Sequence, residues 1–393
     1  MKILVVHPGR QHSHQLARAL YDENHLYEYW TGVPAADPKT KGPLYRWLAR
    51  KSPQATTSLP GNAVRHNYVA PVARRLLRQL YSPARLKAWQ HRVLKTFDAW
   101  SACRLPEDIA AVICYENSAR QTFRVAKQKG ITTILDAASF HYQWQDDFYD
   151  PVEDPSIHRK INVYKKKEVE LADHILAVSE LARESYVDAG VPSERVTSVP
   201  MGADLSAFSP GKEVLNEESE PFTFLFAGYA GQRKGTDLLL SSSARLAQDG
   251  YNHRVQFAGD GDNGLLAKTE APIERLGYLN REELVAAFRR ADVLVLPSRH
   301  DSFGRVVVEA MATGLPVLLS EHVGAKEAVT EGETGWVVPA EDVDALDAQM
   351  RWCIEHSEQV RAMRDACINT AQNYSWEAYH ERVIDVIVSI VDP

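Results

Sequence analysis

The chain has 393 residues, of which 45% are hydrophobic and 25% are charged, and its formal net charge is −7. This composition is ordinary for a soluble globular protein, and the length suits two domains. No apolar run approaches the roughly 20 residues of a membrane-spanning helix. The four cysteines (Cys103, Cys114, Cys353 and Cys367) form no Cys-x-x-Cys pair. We therefore expect no disulfide framework and a reducing, cytoplasmic setting.

The first half of the chain alternates short apolar runs with helical stretches. Residues 2–6 are predicted to form the first strand, followed by a turn, which differs from the apolar core of a signal peptide. Further strands are predicted at 109–114, 132–135, 174–179 and 196–199, and helices at 15–21, 119–129, 159–172 and 180–189. Strands that alternate with helices indicate βαβ units and a parallel sheet.

Residues 38–97 carry an unusual charge. They contain 13 Lys and Arg residues and no Asp or Glu, and leucines and aromatic residues are interleaved with the cations. Cations with interfacial rings favour contact with an anionic membrane surface, so we expect a peripheral protein on the inner face of the cytoplasmic membrane. The alternatives are a solvated basic face on two helices, or nucleic-acid binding. No nucleic-acid module signature accompanies the charge, so no nucleic-acid partner is expected.

A turn-rich break at 200–210 and an acidic stretch at 213–220 separate this half from a second alternating series. The second series begins with an apolar strand at 222–227 and runs to about residue 368. An amphipathic helix is predicted at 376–390. The sequence therefore predicts a first domain at 1–199, a second at 200–372, and a carboxyl-terminal helical segment at 373–393.

The most informative segment is 293–339. A buried strand is predicted at 293–296, and Asp301 lies in the loop that follows. Ser302, Phe303 and Gly304 lead into a helix, and Glu309 lies in that helix, eight positions after Asp301. A strand-loop-helix-strand unit directs both carboxylates to the carboxyl end of a sheet, where open α/β folds bind ligands.

This segment resembles the donor-site signature of retaining glycosyltransferases of the GT-B fold, family 4. The family pattern is Glu-x7-Glu with an internal Phe-Gly, then Glu-Ala-Met-Ala and Gly-x-Pro-Val. Glu309-Ala310-Met311-Ala312 and Gly314-Leu315-Pro316-Val317 fit it, whereas Asp301 replaces the first Glu. The resemblance covers nearly the whole chain and is strongest at 222–340. It implies two Rossmann-like parallel-sheet domains facing each other across a cleft, with the last helix returning to the first domain.

The resemblance also implies an activity. The expected reaction moves a hexose-type sugar, with retention, from a nucleotide-diphosphate sugar to a glycan or lipid-linked acceptor in polysaccharide biosynthesis. Two alternatives stay open: a non-catalytic partner that binds sugar nucleotide or membrane with the same fold, and a sugar-nucleotide epimerase. Asp301 and Tyr229 favour the non-catalytic partner, because they depart from the family pattern.

The loop after the strand at 222–227 suits a diphosphate. Gly228 permits close backbone approach, and Arg233 and Lys234 supply positive charge. The resemblance assigns diphosphate binding to Lys234. Many members carry Arg where this chain has Tyr229, and it is open whether Arg233 takes over that role. The order Lys-Gly-Thr differs from a P-loop. The alternative is a structural turn with incidental cations.

The resemblance assigns the other donor contacts. Glu309 would accept hydrogen bonds from the ribose hydroxyls, and Asp301 would bind hydroxyls of the sugar. The alternative for Glu309 is a helix residue whose neighbours pack, although a lone buried acid is costly. The remaining donor residues are Ser302, the N–H groups of Phe303 and Gly304 for the β-phosphate, and the backbone at Tyr278 and Leu279 for the base.

The first domain is expected to bind the acceptor. Gly9, Arg10 and His12 follow its first strand, where the family has a glycine-containing loop. His141 matches a histidine that contacts the donor sugar, and with Asp301 and Lys234 it forms the expected catalytic set. A lone loop histidine is otherwise an ordinary surface residue.

No cofactor and no metal are expected. The rival for a metal is Asp260-Gly261-Asp262, because an Asp-x-Asp pair can hold a divalent cation. Two acids in a glycine-rich turn are common, and Arg233 and Lys234 already supply the positive charge that a metal would bring.

Overall fold

The computed structural model describes residues 1–9, 11–32, 57–67, 83–146, 155–211, 221–267 and 269–392. The chain divides into two compact units. The first unit comprises Met1–Ala177, Arg183–Val199 and His380–Pro393, and the second comprises Val178–Ala182 and Pro200–Tyr379. One junction between the units follows Val199, and Val178–Ala182 and His380–Pro393 each group with the unit other than the one they directly follow in sequence. The predicted domains at 1–199, 200–372 and 373–393 stay a prediction.

The first unit contains a seven-stranded parallel sheet in the order β3-β2-β1-β4-β5-β6-β7. Its strands are β1 (Ile3–His7), β2 (Leu26–Thr31), β3 (Val64–His66), β4 (Ala111–Tyr115), β5 (Thr132–Ala137), β6 (His174–Ala177) and β7 (Val196–Ser198). The sequence did not predict β2 and β3. Strand β2 reads Leu-Tyr-Glu-Tyr-Trp-Thr, which is no continuous apolar run, and β3 has three residues at the sheet edge.

The helices of this unit are Ser13–Asp22, Pro83–Ala102, Arg120–Gln128, Tyr142–Asp146 and Pro155–Leu171. Two further helices, Glu180–Asp188 and Trp376–Val391, begin in the second unit and continue into the first. Of the predicted membrane segment 38–97, residues 38–56 and 68–82 lie outside the described residues. Within the described ranges, no helix combines the length and the hydropathy needed to cross a bilayer.

The second unit contains a six-stranded parallel sheet in the order β10-β9-β8-β11-β12-β13. Its strands are β8 (Phe222–Ala227), β9 (His253–Ala258), β10 (Ile273–Gly277), β11 (Val293–Leu296), β12 (Val317–Ser320) and β13 (Gly335–Val338). Its helices are Thr236–Gln248, Asn263–Ala267, Arg281–Arg290, Arg305–Ala312, Val343–Glu355, Ser357–Ala362 and Arg364–Gln372. The predicted pair of parallel α/β sheets is confirmed.

The strand order fixes where the second sheet can bind a ligand. Strands β8 and β11 are neighbours, with Phe224 beside Val293 and Leu225 beside Leu294. From β8 the chain continues to β9 and β10 on one side, and from β11 to β12 and β13 on the other. The loops after β8 and β11 therefore diverge and leave a crevice at a topological switch point. In the first sheet, β1 and β4 hold the equivalent position.

Two buried carboxylates cap one helix of the first unit. Glu168 accepts hydrogen bonds from the N–H groups of Asn117 (2.8 Å) and Ala119 (2.7 Å). Asp98 accepts from the N–H groups of Gln121 (2.7 Å) and Thr122 (2.9 Å). Both side chains are fully buried. Their oxygens satisfy the unpaired donors at the start of the helix Arg120–Gln128.

Glu168 should make stability depend on pH. Burial raises its pKa from 4.5 to about 8, against the two backbone donors that lower it. Between these values the unfolded chain has lost a proton that the folded chain keeps, so the free energy of unfolding falls as pH rises. The fall is at most about 1.4 kcal/mol per pH unit. Urea denaturation of wild type and Glu168→Gln at about pH 5 and about pH 7.5 should show the wild type losing more stability than the variant.

The matched control for this prediction is Glu170→Gln, two positions further along the chain. Glu170 is exposed, and a hydrogen bond from Lys167 lowers the pKa of its carboxyl. Its titration therefore lies below this pH window, and its replacement should leave the pH dependence unchanged. Equal pH dependence in wild type and Glu168→Gln would contradict the prediction.

Candidate functional site

The loop after β8 approaches the loop after β11 through a glycine. Gly235 has φ of +66° and precedes the helix Thr236–Gln248. A Cβ atom at Gly235 would lie 1.8 Å from the carbonyl oxygen of Pro297. The backbone N–H of Arg299 donates to the carbonyl of Arg233 at 3.0 Å. The two loops are thus joined backbone to backbone across the switch point.

The loop after β11 is held on its other side by residues 322–325. The N–H of Asp301 donates to the carbonyl of His322 (2.9 Å), and its carbonyl accepts from the N–H of Gly324 (2.8 Å). The carbonyl of Phe303, a buried residue, accepts from Ala325 at 2.7 Å. The carbonyl of Ser302 accepts from the hydroxyl of Ser179 at 2.7 Å. These hydrogen bonds hold the backbone of Asp301 in place.

Lys234 and Asp301 form an ion pair between these two loops. Their side chains are only 12% and 15% exposed, so solvent screens the pair weakly. The Arg233 guanidinium donates to the carbonyl of His300 at 3.1 Å. Burial, followed by the charge of Arg233, lowers the pKa of His300 to about 4, so this imidazole is neutral at neutral pH. The charged side chains of Arg233, Lys234 and Asp301 therefore join the two loops at the crevice.

Arg299 supports this arrangement, although no sequence pattern indicated it. Its guanidinium binds both carboxylate oxygens of Asp237 (2.7 and 2.8 Å), a carboxylate oxygen of Glu341 (2.8 Å) and the carbonyl of Gln232 (2.5 Å). The hydrogen bond to Asp237 is the main cause that raises the pKa of Arg299. A bidentate pair is geometrically specific. Its partners are distant in sequence, so no local pattern predicts it.

Glu309 lies on the helix Arg305–Ala312, which begins after Gly304 in the left-handed region (φ +86°). Its carboxylate is half-buried and forms no hydrogen bond or ion pair with any residue that the structure describes. Desolvation raises the pKa of this carboxyl, against the opposing charges of Arg305 and Arg281. A carboxylate that has lost water and gained no donor is suited to a ligand with hydroxyl groups.

A pocket of about 400 Å³ opens at the carboxyl ends of β8, β9 and β10. Its lining residues are Ala227, Gly228, Tyr229, Ala258, Gly259, Asp260, Tyr278, Leu279, Leu284 and Val306. Tyr229 and Tyr278 are 61% and 81% exposed. Val306 is three positions before Glu309, so both lie on one face of their helix. An apolar pocket with exposed rings beside a carboxylate suits a flat heterocycle that carries a hydroxylated group.

The segment Asp260-Gly261-Asp262, the alternative candidate for a metal site, has a partly structural role. The Asp262 carboxylate accepts from the N–H groups of Gly264 (2.8 Å) and Leu265 (3.3 Å), at the start of the helix Asn263–Ala267. Asp260 lines the pocket described above. Among the described residues, no three His, Cys, Asp or Glu side chains are grouped as a metal site. The expectation of a metal-free donor site stays a prediction.

In the first unit, the loop after β1 pairs with the end of β5. His12 Nε2 lies 2.7 Å from Asp136 Oδ1, and both side chains are buried. The Gly9 carbonyl accepts from the Thr31 hydroxyl at 3.1 Å, and its N–H donates to His7 Nδ1 at 2.8 Å. Arg10 lies outside the described residues. The burial of His12 makes it a support of this loop.

His141 is also buried instead of lying at the surface. Its backbone N–H donates to the Ser185 hydroxyl at 2.9 Å, and its ring lies against Tyr142 and Tyr186. Burial, followed by the charge of Lys165, lowers its pKa to about 4. His141 is therefore neutral at neutral pH, and each ring nitrogen can serve one hydrogen bond, as donor or as acceptor.

Glu116, at the carboxyl end of β4, anchors the loop that carries His141. Its carboxylate accepts from the Ser139 hydroxyl at 2.6 Å and pairs with Lys165 at 3.5 Å. Neither Glu116 nor Lys165 was predicted as a site residue. Their side chains are 9% and 12% exposed, and a buried ion pair of this kind has no local sequence signal.

Comparison with known proteins finds partial matches in sequence and matches in fold over nearly the whole chain. Residues 210–374 match the family model described as glycosyl transferases group 1. The D-inositol 3-phosphate glycosyltransferase of Corynebacterium urealyticum is 30% identical over 259 residues, which are 59% of this chain and 61% of that protein. The chain thus spans about half to three-fifths of the length of the curated relatives it matches.

Solved structures match over the whole chain. Sucrose-phosphate synthase from Thermosynechococcus elongatus has a TM-score of 0.69 and 18% identity and covers 99% of both chains. Anabaena HepE, solved with UDP, has a TM-score of 0.64 and 14% identity, covering 99% of this chain and 100% of that one. With the two parallel sheets, these likenesses confirm the predicted GT-B fold class.

Proposed function

We propose that this chain is a retaining glycosyltransferase of family 4 that moves a hexose-type sugar from a nucleotide-diphosphate sugar to a glycan or lipid-linked acceptor. The observation that carries the proposal is the crevice at the β8–β11 switch point. It joins the Lys234–Asp301 pair to a half-buried, unpartnered Glu309 and an apolar pocket. Phosphate, ribose and base each find a matching group within one unit. The group 1 match covers this part of the chain.

The donor is proposed to bind in a single orientation. Its base enters the pocket beside Tyr278 and Leu279, and its ribose hydroxyls donate to Glu309. Its diphosphate meets Lys234, Arg233 and the N–H groups at the start of the helix Arg305–Ala312. Asp301, which Lys234 holds in place, binds hydroxyls of the sugar. Gly228 admits the backbone close to the phosphates.

Chemistry in this proposal is positioning and charge stabilisation. Lys234 and Arg233 stabilise the diphosphate as it departs, and no carboxylate nucleophile is required. The departing phosphate takes the proton of the acceptor hydroxyl, which then bonds to the anomeric carbon on the leaving-group face. A neutral His141 would contact the donor sugar as a hydrogen-bonding group. The loop containing Gly9 is proposed to contribute to acceptor binding, in a cytoplasmic setting.

Thermal unfolding against UDP-, GDP-, ADP- and TDP-sugars, with and without EDTA, tests the proposal. One nucleotide should raise the Tm, and EDTA should not change the shift. HepE makes UDP the first nucleotide to test. Glu309→Gln should weaken binding of that nucleoside diphosphate about tenfold, because a ribose donor would face an amide, and leave binding of inorganic pyrophosphate unchanged.

The products of the reaction test the remaining points. With the donor identified, nuclear magnetic resonance should show that the transferred sugar has the same anomeric configuration in the product as in the donor. Consumption of donor without an acceptor would indicate an epimerase or a hydrolase. No Tm shift with any nucleotide, from a folded protein, would overturn the proposal and favour a non-catalytic role.

A further inference from the structure

Three neighbouring helices of the first unit present a face with an unusual charge. The helix Arg120–Gln128 packs against both Pro83–Ala102 and Pro155–Leu171. Six exposed cations of these helices, two on each, form no ion pair with a described residue, and we name them the basic face: Arg92, Lys95, Arg120, Arg124, Arg159 and Lys160. The other exposed cations of these helices, Lys127, Lys166 and Lys167, are paired with acids. Lys95 and Arg120 lie 5.8 Å and 5.5 Å from the ring of Tyr164, which ties the three helices together.

Within the described residues, the cations of the basic face are not paired with acids. No acid among the described residues forms an ion pair with any of its six cations. Two acids of these helices, Asp98 and Glu168, are buried and cap the helix Arg120–Gln128. The exposed acid of these helices is Glu170, in the last turn, and it pairs with Lys166 and Lys167. Unneutralised like charges repel, so this face has an electrostatic cost that an anionic partner would offset.

An apolar side chain lies among these cations. Val163 is 55% exposed, the largest exposed fraction of a large hydrophobic side chain among the described residues of this unit. One turn before it are Arg159 and Lys160, and one turn after it are Lys166 and Lys167, so all share one helix face. Cations around an apolar residue match a bilayer, where anionic headgroups surround the acyl boundary.

Nucleic acid is the weaker alternative for this partner. Proteins that bind single strands offer exposed aromatic rings for base stacking. Within the described residues, the exposed rings are Tyr21, Tyr229 and Tyr278, and none belongs to the three helices. The ring of Trp89 is partly covered by the Arg92 guanidinium, 4.9 Å from its centroid. The charge and the shape therefore favour lipid.

We infer that the basic face docks the first unit onto a bilayer of anionic phospholipid. The surface extends beyond the segment predicted from composition, because Arg120, Arg124, Arg159 and Lys160 all follow residue 97. The inference does not depend on the proposed transferase, since it concerns a surface of the first unit that the donor site does not use.

Vesicle co-flotation of the full chain tests the inference. The protein should bind phosphatidylcholine vesicles that contain phosphatidylglycerol, should release them as NaCl screens the charge, and should ignore pure phosphatidylcholine. The triple variant Arg124→Gln, Arg159→Gln, Lys160→Gln removes one positive charge from the helix Arg120–Gln128 and two from the helix Pro155–Leu171. Each charge removed should weaken binding about fivefold, which makes on the order of 100-fold for the three.

The matched control removes the same charge elsewhere, as Lys2→Gln, Arg245→Gln, Arg290→Gln, three exposed cations away from the three helices. It should bind vesicles within about twofold of wild type, and the Tm of both triple variants should show that they are folded. Equal weakening in both triple variants would reduce the effect to net charge and overturn the inference. Binding to double-stranded DNA but to no vesicle, lost in the first variant alone, would replace lipid by nucleic acid.

Discussion

Lys234→Ala should abolish most nucleotide-diphosphate binding and transfer activity. The substitution removes the cation that is proposed to meet the diphosphate, and it leaves the side chain of Asp301, which is only 15% exposed, without its ion-pair partner. Truncating one partner of a buried charge pair costs about 2–5 kcal/mol. We therefore expect affinity for the nucleoside diphosphate to fall on the order of 100-fold, measured by titration calorimetry, with a similar loss in kcat/KM once the donor is identified.

The chain offers a matched control in Lys127→Ala. Lys127 pairs with Asp173 in the first unit, but these side chains are 41% and 40% exposed. Solvent screens that pair, so its loss should leave nucleotide affinity unchanged and stability altered by less than about 1 kcal/mol. Retention of wild-type affinity in Lys234→Ala would remove Lys234 from the donor site. A loss in both variants would indicate a general effect of charge.

Gly235→Ala should destabilise the second unit and disrupt the site more than any other single alanine substitution we propose. The new Cβ atom would lie 1.8 Å from the carbonyl oxygen of Pro297, in a backbone with φ of +66°. Backbone atoms cannot move aside without separating the loops after β8 and β11. We expect a loss of more than about 3 kcal/mol in the free energy of unfolding, measured by urea denaturation, together with loss of nucleotide binding.

Gly250→Ala separates steric overlap from backbone strain. Gly250 follows the same helix, Thr236–Gln248, at its other end, with φ of +85°, and a Cβ atom there would meet no atom within 4 Å. Its replacement should cost only the conformational strain, about 1–2 kcal/mol, and leave nucleotide binding intact. If Gly235→Ala proved no worse than Gly250→Ala, the close contact with Pro297 would not matter energetically.

Much of the second unit was predictable because its central strands are buried on both faces. The predicted strands at 222–227 and 293–296 coincide with β8 and β11, which are fully buried. A strand covered by helices on both sides is a continuous apolar run, which is the strongest signal a strand can give. Strand β2 mixes Glu28 with aromatic residues, and Trp30 forms a hydrogen bond with that acid, so its sequence does not resemble a core strand.

The sequence indicated which residues belong to the candidate site, but it did not indicate which of them contact one another. The order of motifs indicated Lys234, Asp301 and Glu309, and all three lie at or beside the switch point of one sheet. The sequence assigned Lys234 and Asp301 to different parts of the donor, whereas the structure joins them directly. They are 67 positions apart, and pairing across a sheet depends on strand order, which no local pattern encodes.

The supporting residues were not predictable for the same reason. Arg299 binds Asp237 and Glu341, and Glu168 caps a helix that begins nearly fifty positions earlier. In sequence each is an ordinary charged residue on a helix or loop. Their roles follow from burial and from the positions of distant backbone groups.

The two units are not consecutive in sequence, because Val178–Ala182 belongs to the second unit and His380–Pro393 to the first. The polypeptide passes between the units at four places, after Ala177, Ala182, Val199 and Tyr379. Scission after Val199 would leave an amino-terminal fragment that lacks the last helical turns of its own unit and retains five residues of the other. The second unit therefore cannot be exchanged by recombination at a single junction. A chimera with a protein of the same fold would have to carry residues 178–182 and 200–379 together, from the same parent.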